Sequence, residues 1–243
     1  MRRRSVDGGR DFKRRYSQVI LDFKVEFFDA IAFGDVSAKL SRYQRDFDLS
    51  HIPPLERRRL SRAAKCAFDL IKGFKKLEMP IVFSSYEGEM NRCFELQSTL
   101  AKNEPLSPTS FSLSVHNAIS SLLSISMQNR YEISAISAYA PLEYALLAAN
   151  LRLDEGFDRV LVLAYHEAIS QEYFNEHSSS FMAAMIVSKQ TSKDKRLSLR
   201  QMPKEGGSNE NLLLRFLQNF SFEKKCSFKS SDENSTWQWD YEP

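Results

Sequence analysis

Cysteine is scarce in this sequence: three in 243 residues, at Cys66, Cys93 and Cys226. An odd number at wide spacing offers neither a disulfide framework nor a metal pattern and suits a reducing compartment. A cytoplasmic location is therefore expected. His51, His116, His166 and His177 share no ligand spacing, so neither a metal nor any other cofactor is expected. Adjacent glycines occur only at Gly8-Gly9 and Gly206-Gly207, which excludes a glycine-rich phosphate loop. No apolar run approaches the ~20 residues that span a bilayer. The basic N-terminal stretch is not followed by a signal-peptide apolar core. With 34 basic and 31 acidic side chains, the net charge of +3 is too balanced to argue by itself for nucleic acid.

What is present is a core. Apolar residues make up 42% of the chain, with 18 Phe. A chain of this length suits one domain that buries roughly 70–75% of its unfolded surface. Residues 1–15 hold seven Arg or Lys and read as a mobile arm, 1–16, before a single domain at 17–243. A solvated tail is the plainer account of the arm, and phosphate binding the minority one.

Strands and helices alternate along the chain, which predicts a layered α/β domain with helices packed around a mixed, buried β-sheet. Val19–Phe33 reads as a strand followed by a short helix. Leu55–Leu77 reads as one helix opened by Pro53-Pro54, with Leu60, Ala64, Ala67, Phe68, Ile71 and Phe74 at helical spacing. Pro80–Ser85 is a buried strand and Glu87–Lys102 a helix. Phe111–Ile125 reads as a helix apolar nearly all round, capped by Thr109 or Ser110, and therefore central in a core or at an interface. Ile133–Ser137, Arg159–Tyr165, Phe181–Ser188 and Arg196–Met202 are strands, and Leu142–Leu151 and Asn211–Phe220 are helices. Lys204–Asn209 is a loop, residues 223–236 are polar, and Trp237–Tyr241 alternates like an edge strand.

The stretch Leu106–Asn150 organises the rest. Its strand ends at a corner, Ser137-Ala138-Tyr139-Ala140-Pro141, that opens a helix. Many α/β enzymes place a nucleophile at such a corner, yet no residue here looks like an activated one. Other candidates have two readings each. His166-Glu167, at the end of an apolar strand, suits acid/base work, or is a strand-end polar pair. His116-Asn117 inside the apolar helix is a buried hydrogen-bonded network, or an interface element. Arg57, Arg58, Arg59 and Arg62 are a solvated helix face, which is favoured, or a functional basic cluster.

The segment SPTSFSLSVHNAISSLLSI resembles the β-ketoacyl synthases of the thiolase superfamily. The resemblance is to the short ketosynthase-like proteins of the chain length factor type from aryl polyene and related pigment clusters. LSHIPPLERRRLSRAAKCAFDL, IVFSSYEGEMNRCFEL and RVLVLAYHE match in order, so it runs from about Ile20 to Trp237-Gln238-Trp239. It implies a thiolase-like half-fold. It places Tyr139, or Ala140 if the register shifts by one, where catalytic relatives carry the acyl-accepting cysteine. Ketosynthases also draw two histidines from a second, C-terminal half, and this chain ends at Pro243 before such a half. The resemblance therefore implies a non-catalytic subunit that pairs side by side with a ketosynthase, continues its sheet across the interface and walls the acyl tunnel.

By the same resemblance Phe111, Ser114, Val115, His116, Asn117 and Ala118 border the tunnel and partner. Tyr139 fills the space the cysteine vacates, and Arg57–Arg62 attract an acidic acyl carrier protein through the complex. Two other functions compete. One is an independent acyltransferase or thioesterase using Ser137 or His166. The other is a nucleic-acid or membrane-surface binder acting through the basic arm.

Overall fold

The computed structural model describes residues 19–170, 179–192, 194–204, 211–232 and 235–243. The basic arm and almost all of the 204–209 loop lie outside the described residues. Eight strands form one sheet in the order β3-β2-β4-β5-β1-β6-β8-β7. They are β1 (Ile20–Gly34), β2 (Ile81–Ser85), β3 (Ile133–Ser137), β4 (Arg159–His166), β5 (Ser179–Lys189), β6 (Arg196–Met202), β7 (Cys226–Ser231) and β8 (Thr236–Glu242). β2 is parallel to β3 and to β4. All other pairings are antiparallel, so the sheet is mixed, as expected.

Seven α-helices are described: α1 (Pro54–Arg57), α2 (Arg62–Leu70), α3 (Met90–Ala101), α4 (Pro108–Ser112), α5 (Ala118–Ser126), α6 (Pro141–Asp154) and α7 (Leu212–Asn219). α6 and α7 pack on one face of the sheet, with Val82, Val160, Val162 and Trp239. α2 and α5 pack on the other, with Ile81, Phe83, Leu161 and Leu163. Successive strand residues alternate between these two cores, as the period of two demands. The helices thus sandwich the sheet.

Four expectations need correction. Val19–Phe33 holds no helix: β1 runs unbroken to Gly34, because its aromatic and β-branched residues pair with β5 along Phe23–Gly34. Leu55–Leu77 is two helices. Chain reversal at Arg58–Leu60 lets Ser61 start α2 afresh, its hydroxyl accepting from Ala64 N at 3.1 Å. Phe111–Ile125 is also two helices, and Ser107 caps the first, accepting from Ser110 N at 3.2 Å. Ser112 and Ser114 donate back to the carbonyls of Thr109 and Phe111. Such local bonds compete with the helix ladder, and the chain opens at Leu113–Asn117. The polar stretch 223–236 contains β7, so Trp237–Tyr241 lies inside the sheet between β6 and β7.

That inner placement fills the core on the α7 face. Trp239 packs on Phe216 with ring centroids 4.8 Å apart, and its indole N–H donates to Ser230 Oγ at 3.0 Å. Trp239→Ala is expected to lower unfolding free energy by about 3–5 kcal/mol in urea titrations. The exposed Leu55→Ala should change it by less than about 0.5 kcal/mol. Equal effects would contradict this account of the core.

Candidate functional site

The parallel strands β2, β3 and β4 end together, and their C-terminal ends carry the candidate residues. The corner after β3 is short because Ala138 N donates to Ser85 O at 3.3 Å. Ala140 is the buried N-cap position of α6 and Pro141 its first residue. Tyr139 does not fill a buried space. Its ring is 63% exposed and turns onto Tyr86, in the loop after β2. The two rings stack with centroids 4.1 Å apart and an interplanar angle of 22°, and the hydroxyls share a hydrogen bond of 2.8 Å. Stack and hydrogen bond together are worth about 1–3 kcal/mol. The hydrogen bond with Tyr139 raises the pKa of the Tyr86 phenol above the usual value.

The same loop contains Gly88, at φ +60. A Cβ there would stand 2.6 Å from His116 Nδ1, so the position needs glycine both for its backbone and for space. His116 reaches from the opening between α4 and α5. Its Nε2 lies 2.9 Å from Ile136 O of β3, and its ring packs on Phe83. It is the hydrogen-bonded element expected of a half-buried histidine, whereas Asn117 is exposed. Ala118 is buried, but Phe111 and Val115 are 64% and 50% exposed and Ile125 75%. The segment thus buries Ala118, Ile119 and Leu123 and presents Phe111, Val115 and Ile125 to solvent.

His166 has the partner its sequence neighbourhood did not reveal: Nδ1 lies 2.9 Å from Glu87 Oε1. It does not meet Ser137. Register sets Ser137 opposite Ser85 and Ser85 opposite Tyr165, two strands away. Alternation puts Ser137 and Tyr165 on the α2 face and His166 on the α6 face. Ser137 Oγ instead donates to Tyr86 O at 3.5 Å. Cys66 lies in α2, Cys93 in α3 and Cys226 at the start of β7, and burial raises the pKa of each thiol. Activation requires the opposite shift.

The arginines do not form one helix face. Arg57 donates to Ile52 O at 2.9 Å, Arg58 and Arg59 lie exposed in the turn after α1, and Arg62 opens α2. Arg62 also rims a cavity of ≈ 550 Å³ that is lined by Ser61, Lys65, Glu89, Asn91 and Glu167 among others. Sequence reasoning missed Tyr86, Glu87 and Gly88. Their signal was positional: a glycine in a strand-to-helix loop at the carboxyl end of a parallel strand.

Residues 35–240 match the family model described as β-ketoacyl synthase, N-terminal domain. The chain belongs to that family. It is similar to a solved structure described as the ketosynthase ApeO in complex with its chain length factor ApeC from Xenorhabdus doucetiae. That match has 23% identity and a TM-score of 0.74, and it covers 90% of this chain and 99% of the other. A second is described as the ishigamide ketosynthase/chain length factor, at 12% identity and a TM-score of 0.54, covering 73% of this chain and 64% of that one. These likenesses establish the thiolase-like fold. No curated protein sequence matches the chain. Among the described residues, no helix is long and apolar enough to cross a membrane, and no group of three or more His, Cys, Asp or Glu is arranged to hold a metal.

Two buried carboxyls flank this end of the sheet. Glu143, in the first turn of α6, accepts from Ser230 Oγ at 3.3 Å, and burial raises its pKa to about 7. Glu167 accepts from Tyr165 OH at 3.2 Å and Asn91 N at 3.3 Å, and burial again raises its pKa to about 7. Both lie above the ordinary glutamate value, so the folded state holds protons that the unfolded chain releases. Their stabilising effect is complete below about pH 4.3 and is lost as pH rises through about 7, by about 3–4 kcal/mol for each group. Glu143→Gln is therefore expected to flatten that decline and to raise stability at pH 8. Urea midpoints at pH 5 and pH 8 test this, and a variant whose midpoints fall as steeply as the parent's would contradict it.

Proposed function

We propose that this chain is a non-catalytic chain length factor. It pairs with a catalytic ketosynthase and shapes the tunnel for the growing acyl chain in polyketide, aryl polyene or fatty-acid-like biosynthesis. The observation that carries the reading is the corner itself. Where a ketosynthase needs a thiolate at a helix N-terminus, this chain presents Tyr139 and Ala140, with Tyr139 committed to Tyr86. The similar structures are described as a ketosynthase with its chain length factor and a ketosynthase/chain length factor, which supports the pairing.

Among the described residues β3 ends the sheet with an unpaired edge, which supports a side-by-side partner. Ile81 N donates to Glu132 O at 3.1 Å and Ala138 N to Ser85 O. The even-numbered residues of β3 therefore face β2, and Ile133, Ala135 and Ser137 turn their N–H and C=O groups outward. Exposed Tyr139 follows it by two residues, and α5, which packs against β3, exposes Ile125. In this reading the partner adds a strand to that edge. Phe111, Ser114, Val115, His116, Asn117 and Ala118 wall the tunnel beside it, and Arg57, Arg58, Arg59 and Arg62 offer the complex a basic contact for an acidic acyl carrier protein.

Ala135→Pro removes one outward N–H and leaves the β2 pairing intact, since an edge position tolerates proline. The variant should keep its fold by circular dichroism. It should lose at least about tenfold in affinity for a co-expressed ketosynthase, the equivalent of about 1.4 kcal/mol. Unchanged co-purification would remove the edge from the interface. The isolated chain should form no covalent adduct with acyl-thioesters by intact mass. A stoichiometric adduct abolished by Ser137→Ala would instead make it an enzyme.

A further inference from the structure

Chain length control needs a stop that a lengthening acyl chain cannot push aside. The segment that carries Phe111 and Val115 is poorly built for that task. α4 is five residues long, the chain between α4 and α5 is non-helical, and both side chains are at least half exposed. Tyr86 and Tyr139 are different. Tyr86 follows β2 by one residue and Tyr139 follows β3 by two. Both backbones are thus anchored by adjacent parallel strands. Their rings are stacked, their hydroxyls bonded, and the Ser137 hydroxyl holds the Tyr86 carbonyl. Displacing either ring breaks a stack and a hydrogen bond at once, which together outweigh the gain from burying one more methylene group.

The pair nevertheless stands in the open. Tyr139 is 63% and Tyr86 48% exposed, next to the free edge of β3. A rigid aromatic pair with its hydroxyls turned to each other presents ring surface outward, and ring surface suits an apolar, extended chain. We infer that the Tyr86–Tyr139 pair is the end-stop for the acyl chain that the ketosynthase partner elongates. The inference rests on the chain length factor reading above. It adds Tyr86 as a specificity-determining residue, and it makes Tyr139 a wall held by Tyr86 in place of a filler of the vacated cysteine site. The occupant is a long acyl thioester, saturated or conjugated, whose distal end meets the two rings.

The test is product length in the intact complex with the ketosynthase and its carrier protein. Pairing is scored separately by co-purification. Tyr86→Ala and Tyr139→Ala should each shift the major product longer by at least one two-carbon extension. Tyr86→Phe keeps the stack and loses the hydroxyl bond, so it should broaden the distribution toward longer products with a smaller shift. If the alanine variants fail to pair, Tyr86→Phe and Tyr139→Phe decide. Paired complexes whose product distribution matches that of the parent overturn the end-stop and leave the chain length factor reading standing. Failure of the parent chain to pair with any ketosynthase overturns both.

Discussion

A sheet cannot end without leaving backbone donors and acceptors unpaired, and this constraint shapes both flanks of the molecule. At one end, β7 is blunted. Ser227 and Lys229 alternate along it, and Arg215 Nε donates to Lys229 O at 3.4 Å. Charged side chains and capped carbonyls are how soluble proteins discourage strand addition. At the other end, among the described residues, β3 has no such protection. Its five residues, Ile133–Ser137, include two isoleucines and no charge, and exposed Tyr139 follows it by two residues. An uncharged edge left unpaired invites another chain, and the parallel strands beside it bring the Ser137–Pro141 corner to the same place.

The C-terminal third closes the domain on the side away from that edge. β6, β8 and β7 extend the sheet, and α7 carries Phe216 and Phe220 against Trp239 and Tyr241. The cap reaches α6 as well. Tyr144 meets Trp237 at 6.5 Å, and Ser230 links the Trp239 indole to the Glu143 carboxyl. α6 therefore buries Leu142, Ala145, Leu146 and Ala149 within one chain. The corner that opens α6 is held from below by the sheet and from the side by this cap, which gives Tyr139 a fixed base.

Much of the sheet was legible in the sequence, because short apolar runs bounded by turn residues, such as Ile81–Ser85 and Arg159–His166, have no stable alternative to a buried strand. The helical readings failed where serine decided the backbone. Ser61 restarts a helix after a turn, and Ser112 and Ser114 end one, although the apolar spacing runs through both interruptions. β1 was misread because its alternation slips phase at the register shift between Val25 and Phe27 and gives way to the buried run Ala30–Ala32. The Ser137–Pro141 corner was legible as a strand opening a helix. Tyr86 was not, since its meaning depends on a ring that arrives from Tyr139, 53 residues later. The His166–Glu87 pair was hidden for the same reason, at a separation of 79 residues.

The central claim is that β3 is completed by a ketosynthase. Residue-resolved amide hydrogen exchange of this chain, alone and co-purified with a full-length ketosynthase, tests it most directly. The account predicts that Ile133, Ala135 and Ser137 exchange quickly in the free chain and slow by at least about tenfold in the complex. The amides of Ser134 and Ile136, already turned to β2, should change little. Unchanged exchange at the three outward amides, with protection appearing elsewhere on the chain, would contradict it.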